Sequence, residues 1–566
     1  MLELIPMPKC IEIKDGFLKK KTVKLPEIID VRIEKAALNL PLGRCGAELV
    51  ITIGSGGESY EIEISENKIS VAADGNAGAF YAIQTLRQLF AGGEIPCMHI
   101  KDKPDFKYRG FYHDVTRGKV PKVGTIKKLI DTMAYYKMNE LELYVEHTFE
   151  FKEYADSIER TGALMAAEIR ELDEYCYENF IEFVPSLSTF GHLYELLEKD
   201  RYKHLREAVR YDNRCMWTAR MEHHTIDPTQ PESFELITSL IDQYMPLFKH
   251  TNRFNICCDE TFDLENGRHK GEDTGRLYID FVCKLINYVK SKGKTAMMWG
   301  DILLKYPQTI DKLPQDVQLL NWWYWDISDK NRFEVFKNSA RTHIVCPGTS
   351  TWSRFCEGTS VSVSNICKMT EYAHEYGADG ILNTNWGDYG NPCSLELAMY
   401  SMIIGAEKSW SVGTDIDADF DSRADLLLYN RDGTCALEKR LSDLHDKIDF
   451  NLISRYTCGA ETKEKIAETM PPDVMKKVIL GCMELLSELS AEKRDGDEYR
   501  REMISAAKAV VLMARFTLKV SGVMAEEFVD TDEWIAEYSA AWRGKNKESE
   551  LHEIVKMFCN MDKYNN

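Results

Sequence analysis

Several features are scarce or missing from this chain, and each absence narrows what it can be. Sixteen cysteines are scattered through 566 residues without a CxxC pair, which fits neither a disulfide framework nor a zinc ribbon and leaves reduced thiols as the expectation. Positive charge is in deficit: 71 Lys plus Arg face 91 Asp plus Glu, a net charge of −20, so no nucleic-acid partner and no anionic-membrane partner is expected. No charge-free stretch reaches the roughly 18 residues that a membrane-spanning helix needs. The opening MLELIPMPKCIEIKDG has no basic segment followed by an apolar core and a cleavage site, so a cytoplasmic protein is expected. No HExxH or regularly spaced histidine cluster occurs, and His223 and His224 are neighbours that cannot share a helical face, so no metal is expected. GSGGE at 54–58 lacks the spacing of a phosphate loop; it is expected to be a hairpin turn, and no organic cofactor is expected. No repeat of roughly 20 to 50 residues and no low-complexity tract is present.

What remains is ordinary globular material, 44% hydrophobic and 29% charged, long enough for more than one domain. Residues 1–102 hold short alternating runs such as ELVITIG and KISVAAD and then a helical stretch, AGAFYAIQTLRQLFAGG, and are expected to form a small α+β domain. Residues 103–405 repeat an apolar run, a turn and an amphipathic helix. The runs fall at 109–117 (RGFYHDVTR), 139–149 (NELELYVEHTF), 182–192 (EFVPSLSTFGH), 254–261 (FNICCDET), 295–301 (TAMMWGD), 317–324 (VQLLNWWY), 343–350 (HIVCPGTS) and 381–388 (ILNTNWGD). Eight such runs over 280 residues predict a (β/α)8 TIM barrel within an α/β fold class. Residues 406–566 carry apolar spacings of three and four and are expected to form a helical C-terminal domain. Those helices would either cover the barrel or form the interface of a homodimer, and the sequence leaves the two equal. The acidic DIDADFDS at 415–422 lacks the Gly and closing Glu of an EF-hand loop and is expected to start a helix.

In such a barrel the C-terminal ends of the strands carry the chemistry. That rule points to Glu146, His192, Asp259, Glu260, Trp299, Asp301, Tyr324, Trp386 and Asp388. Asp259 and Glu260 end an apolar run, and neighbouring side chains reach one pocket only where a strand is stopping. Carboxylates at a strand tip among aromatic residues suggest sugar chemistry, with one group protonating a leaving oxygen. Two adjacent carboxylates approach from one side, which suits a substrate that brings its own nucleophile. A 2-acetamido sugar does so when its carbonyl oxygen attacks C1.

These residues stand in motifs, IKDKPDFKYRGFYHDVTRGKVP, NELELYVEHTFEF, EFVPSLSTFGHL, FNICCDETFDL and GILNTNWGDYGN, and across roughly 80–390 the chain resembles glycoside hydrolase family 20, the exo-β-N-acetylhexosaminidases, most closely their hexosaminidase D-like and bacterial intracellular branch. The resemblance implies that Asp259 orients the acetamide and Glu260 is general acid and then base, without cofactor. It implies a β-N-acetylhexosaminide glycan as partner. By motif position it assigns sugar hydroxyls to Arg109 in the RG motif, a role to His192 in the GH motif, and the 4- and 6-hydroxyl side to Trp386 and Asp388. Trp299, Trp352 and Tyr324 are placed by lying at strand ends, Tyr324 as candidate donor to the acetamide carbonyl. Glu260 should need a raised pKa to be protonated when the bond breaks. The chain departs from the family pattern at YVEHTFEF, at ICCDE in place of GGDE, and at HIVCPGTSTW. Two rival readings are a retaining glycosidase with Asp301 or Asp388 as covalent nucleophile and a non-catalytic sugar-binding barrel. Arg109 could instead be a structural ion-pair partner of Asp114 or Asp105.

Overall fold

Alternation of apolar and polar residues in the first hundred residues produces a sheet with one buried face. The computed structural model describes residues 2–563 except 26, 28–29, 209–214, 222–223, 326, 328–329 and 492–495. Strands β1 (Cys10–Phe17), β2 (Glu48–Ile53), β3 (Tyr60–Ile64), β4 (Lys68–Ala73) and β5 (Pro96–Asp102) lie in the order β1-β5-β3-β4-β2. Ile62, Ile64, Ile69 and Val71 are buried, while Glu61 and Glu63 point to solvent. The helix Asn76–Ala91 is buried on nearly every side, as expected of a helix sandwiched between this sheet and a second body. Gln88 on it donates to Ile5 O at 2.6 Å and to Tyr135 O of the next domain at 3.1 Å.

The eight apolar runs form β6 (Tyr108–Asp114), β7 (Glu140–Val145), β8 (Glu182–Leu187), β9 (Arg253–Asn255), β10 (Thr295–Trp299), β11 (Gln318–Trp322), β12 (His343–Cys346) and β13 (Gly380–Asn385), all parallel and closed into a barrel. Their inward residues fill its interior, and the upper layer is aromatic, with Tyr112, Tyr144, Trp299 and Trp386 packed together. The helix after β13, Met399–Trp410, runs past residue 405, so the expected domain border falls inside the barrel's last helix.

The segment 54–58 is not a hairpin turn, because β2 and β3 lie on either side of β4 and the connection must cross it. Glu58 at its end reaches the base of the barrel and forms a two-pronged pair with Arg109, 2.9 Å on each side. Arg109 also donates to Tyr81 OH at 3.0 Å and to the carbonyls of Phe106 and Lys137. It is therefore a strut between domains. Replacing Arg109 by Met should lower stability by roughly 3 kcal/mol, since it leaves Glu58 and buried carbonyls unpaired, and should leave KM unchanged; denaturant midpoints and steady-state kinetics check both halves.

The C-terminal helices, from Ala418–Leu427 to Leu551–Lys563, meet the barrel at its helix Thr359–Glu375 and at the turn Glu396–Ala398. Asp417 caps the first of them by accepting from Asp419 N and Phe420 N, so the acidic run does start a helix. The last two helices and the turn between them touch the loops at the strand ends: Tyr538 donates to Pro392 O at 3.1 Å, and Ser549 in the turn donates to Gly118 O at 2.7 Å. No helix among the described residues is long and apolar enough to cross a membrane.

Candidate active site

The fourth barrel strand stops early because its backbone turns left-handed. Cys257, Cys258 and Glu260 have φ of +55°, +65° and +50°, a region that costs a non-glycine residue about 1–2 kcal/mol. The turn breaks the alternation of a strand, so the Asp259 and Glu260 side chains both enter the barrel mouth. It is held by Cys257 N donating to Asn255 Oδ1 (2.9 Å), Tyr278 OH donating to Cys258 O (2.9 Å) and Glu260 N donating to Asp301 Oδ2 (3.0 Å). Glycine adopts this backbone freely, which explains the usual GG in the motif; here two buried cysteines hold the same conformation against its cost.

After β8 the chain passes over this turn so closely that a Cβ on Gly191 would stand 2.4 Å from Asp259 O. His192, also left-handed at φ +57°, is thereby aimed at the carboxylates. Its Nε2 is 3.3 Å from Asp259 Oδ2 and 3.3 Å from Glu260 Oε2. Behind it His224 accepts from His192 N at 2.6 Å and stacks on its ring, while Asp263 accepts from His224 N and Thr225 N. His223 lies outside the described residues.

The charge state follows from this packing. Burial pushes His192 down, but the Asp259 charge and the bonds to both carboxylates outweigh it and raise its pKa to about 10. Burial pushes Glu260 up, and the bond and charge of His192, with Arg117, hold it down at about 2. The expectation of a raised Glu260 pKa is thus corrected: the facing imidazole and Arg117 hold it down. Asp301, pushed up to about 7 by burial and then by the Asp259 charge, lies behind the turn and does not line the central pocket.

The arginine that the first barrel strand sends into the pocket is Arg117. It donates to Asp388 Oδ1 at 2.9 Å, stands 3.5 Å from Glu146 Oε1 and 3.3 Å from His192 Nδ1, and lies 5.0 Å over both the Tyr144 and Trp386 rings. Arg109 is the correction: it begins the strand that Arg117 follows, and eight residues at about 3.3 Å each put their side chains at opposite ends of the barrel. Its partner is Glu58 and neither Asp114 nor Asp105. Asp114 instead ties two strand ends together, accepting from Thr116 N, Arg117 N and Gly387 N.

Asp259, Glu260, His192, Tyr324, Trp352, Trp386 and Asp388 all line one pocket of about 200 Å3. Trp299 does not line it; fully buried, it packs beneath Trp386 as part of the floor. Tyr324 accepts from Trp386 Nε1 at 2.6 Å and lies between Trp322 and Trp352. Asp259 Oδ1 is buried without a hydrogen-bond partner. Trp217, Arg220, Met221 and Tyr389, which were not among the expected residues, add to the wall beside Trp322 and Trp325. The first three come from the long β8–β9 connection, where no periodic pattern flags them, and Arg220 is fixed by Glu550 of the C-terminal region. A second cavity adjoins Glu260 on its outer side, between Trp322, Phe262 and Tyr306. The arrangement can hold a polar ring on aromatic faces, orient an N–H with one carboxylate and pass a proton through another.

Comparison with known proteins follows the same lines. The profile of the glycosyl hydrolase family 20 catalytic domain matches residues 106–386, and that of the family's domain 2 matches residues 34–103. Among curated relatives, hexosaminidase D of Bos taurus is 24% identical over 220 residues, 37% of this chain and 60% of its own length. A β-hexosaminidase of Porphyromonas gingivalis is 26% identical over 284 residues, 44% of this chain and 36% of its own. The chain thus spans less than two thirds of these relatives. The solved structure of a Flavobacterium johnsoniae chitobiase superposes with a TM-score of 0.61 over 98% of this chain and 99% of that one at 18% identity, a likeness of fold that includes the C-terminal helices.

Proposed function

The chain belongs to glycosyl hydrolase family 20, and from that premise we propose that it is an exo-β-N-acetylhexosaminidase that removes terminal β-linked GlcNAc or GalNAc with retention. The observation that carries this reading is Asp259 Oδ1, a buried carboxylate oxygen with no donor of its own, set among Tyr324, Trp352 and Trp386. It suits the N–H of a 2-acetamido group. With that N–H held, the acetamide oxygen attacks C1 and the glycosidic bond breaks, giving an oxazoline-type intermediate that water opens. Tyr324, whose oxygen already accepts from Trp386, offers its O–H to the acetamide carbonyl. Asp388 and Glu146, oriented by Arg117, face the hydroxyls at the far side of the ring.

Glu260 is the general acid and then the base, and its proton comes from His192 Nε2, 3.3 Å away. As negative charge builds on the leaving oxygen, the proton moves from imidazole to carboxylate to oxygen. The rival role of Asp301 as nucleophile fits less well, since its Oδ2 accepts from the Glu260 backbone N–H.

The test is hydrolysis of p-nitrophenyl β-GlcNAc, β-GalNAc and β-glucoside. Turnover confined to the two acetamido sugars supports the reading; equal turnover of the plain glucoside would sink it in favour of a protein nucleophile. The pH dependence offers a second check. Because the shared proton is lost as pH rises through the pKa of His192, kcat/KM should hold a plateau and fall only near pH 10. In His192→Asn the proton must reside on Glu260 itself, so the alkaline limb should move down to about pH 4–6. An unmoved limb in that variant would remove His192 from the proton path.

A further inference from the structure

Apart from the pocket, the chain carries a second cluster with the geometry of a ligand set. We infer that Glu207, Asp227 and His269 form a site for a divalent transition-metal ion of the zinc type. Their donor atoms lie within 4.8 Å of one another. His269 Nε2 is 3.2 Å from Asp227 Oδ1 and 3.7 Å from Glu207 Oε2. Two ligands of a tetrahedral zinc, each at about 2.0–2.2 Å, stand roughly 3.4 Å apart, which matches both separations.

An independent observation points to a cation. Glu207 is fully buried, and its Oε2 has no hydrogen-bond partner although it faces the histidine. A single ring nitrogen already 3.2 Å from Asp227 does not also satisfy an oxygen at 3.7 Å, whereas one ion between them satisfies all three. The other oxygen of Glu207 accepts from His269 N at 2.9 Å, which fixes the carboxylate plane. The outer partners have the pattern of a metal site as well. His269 Nδ1 is 3.1 Å from Glu272 Oε1, the carboxylate behind a ligating imidazole, and Asp227 Oδ1 accepts from Thr229 N and Oγ1. Arg268 and Gln230 stand near the remaining Asp227 oxygen at 3.6 and 3.4 Å. One imidazole and two carboxylates suit zinc, cobalt or manganese better than calcium, which prefers an all-oxygen shell of six to eight ligands.

The ion would join two segments that support the pocket from outside. Residues 205–207 and 225–227 pair through Arg206 and Ile226 just beyond His224, and the segment bearing His269 follows Glu260 by way of Asp263. It is therefore a clamp on the backing of the site, and it takes no part in the chemistry.

The test is calorimetric titration of Zn2+ into the chelator-stripped full chain, with the visible absorption of Co2+ as a second readout. One equivalent should bind, the Co2+ spectrum should be that of a low-coordinate nitrogen and oxygen site, and Tm should rise by about 2–4 °C at saturation. Affinity should drop at least about 10-fold in His269→Ala and in Glu207→Gln; the latter keeps the side-chain volume and the oxygen accepting from His269 N, so it should retain the fold by circular dichroism. The pocket trio His192, Asp259 and Glu260 is the other such cluster among the described residues, so Glu260→Gln should bind zinc unchanged. Zinc uptake that survives in Glu207→Gln and is lost in Glu260→Gln would move the ion to the pocket and overturn the proposal. No uptake by the wild type at about 1 mM Zn2+ would overturn it too, given the micromolar or tighter binding expected of such a donor set.

Discussion

Replacing Glu260 by Gln is expected to lower kcat by roughly 10²–10⁴-fold, the range for loss of a positioned acid and base, and the loss should depend on the leaving group. Nitrophenolate departs without a proton, so with p-nitrophenyl β-GlcNAc only the second step, in which Glu260 activates water, is impaired. With chitobiose the departing sugar oxygen needs the proton as well, so the loss should be the larger of the two. Asp259→Asn should behave differently. In the proposed mechanism its carboxylate acts on the acetamide, not on the leaving oxygen, so the expected loss of about 10²–10³-fold should be the same for both substrates. Measuring both variants on both substrates separates the roles. Equal losses for Glu260→Gln on the two leaving groups would take the acid role away from it.

Arg117→Ala should be the second most damaging change, in activity and stability together. Arg117 lies against Asp388, Glu146 and His192, and it is the cation that orients the first two of these acids. Removing it leaves buried or half-buried carboxylates facing one another, a loss of about 3–5 kcal/mol when a buried pair is broken. Because the same carboxylates line the pocket proposed to hold the sugar, kcat/KM should fall by at least about 100-fold, with KM rising. Lysine should rescue little, since an ammonium cannot span three partners as a guanidinium does. The contrast with Arg109→Met, expected to cost stability and leave KM alone, is the sharper test. If the two variants behave alike, the division between a pocket arginine and a domain strut fails.

That division also shows how far the primary structure could be read. Both arginines stand in one nine-residue run, RGFYHDVTR. Motif position pointed to Arg109, and the strand-end residues named from the sequence did not include Arg117, although it closes that same run and lines the pocket. Asp259, Glu260, His192, Trp386 and Asp388 were legible because each follows directly on an apolar run, where the strand must stop. Trp217, Arg220 and Met221 were not, because they lie in a long connection, where Trp217 packs on Phe450 and Arg220 pairs with Glu550 of the C-terminal region. The proposed ion site would leave no periodic trace in the sequence, because Glu207, Asp227 and His269 come from separate turns and have no regular spacing.

By itself the sequence determined the number of strands, the closed parallel barrel with its flanking domains, and the strand tips where carboxylates and aromatics would gather. Those follow from apolar periodicity, which acts between residues close along the chain. Only the tertiary structure decided which arginine of RGFYHDVTR reaches the pocket, that GSGGE carries Glu58 to the base of the barrel, and that His192 and Arg117 hold the Glu260 pKa down instead of up. Charge states and docking contacts depend on distance in space. Barrel closure brings residues 117, 192, 259 and 388 within a few ångströms of one another, and no local pattern records the field they make together.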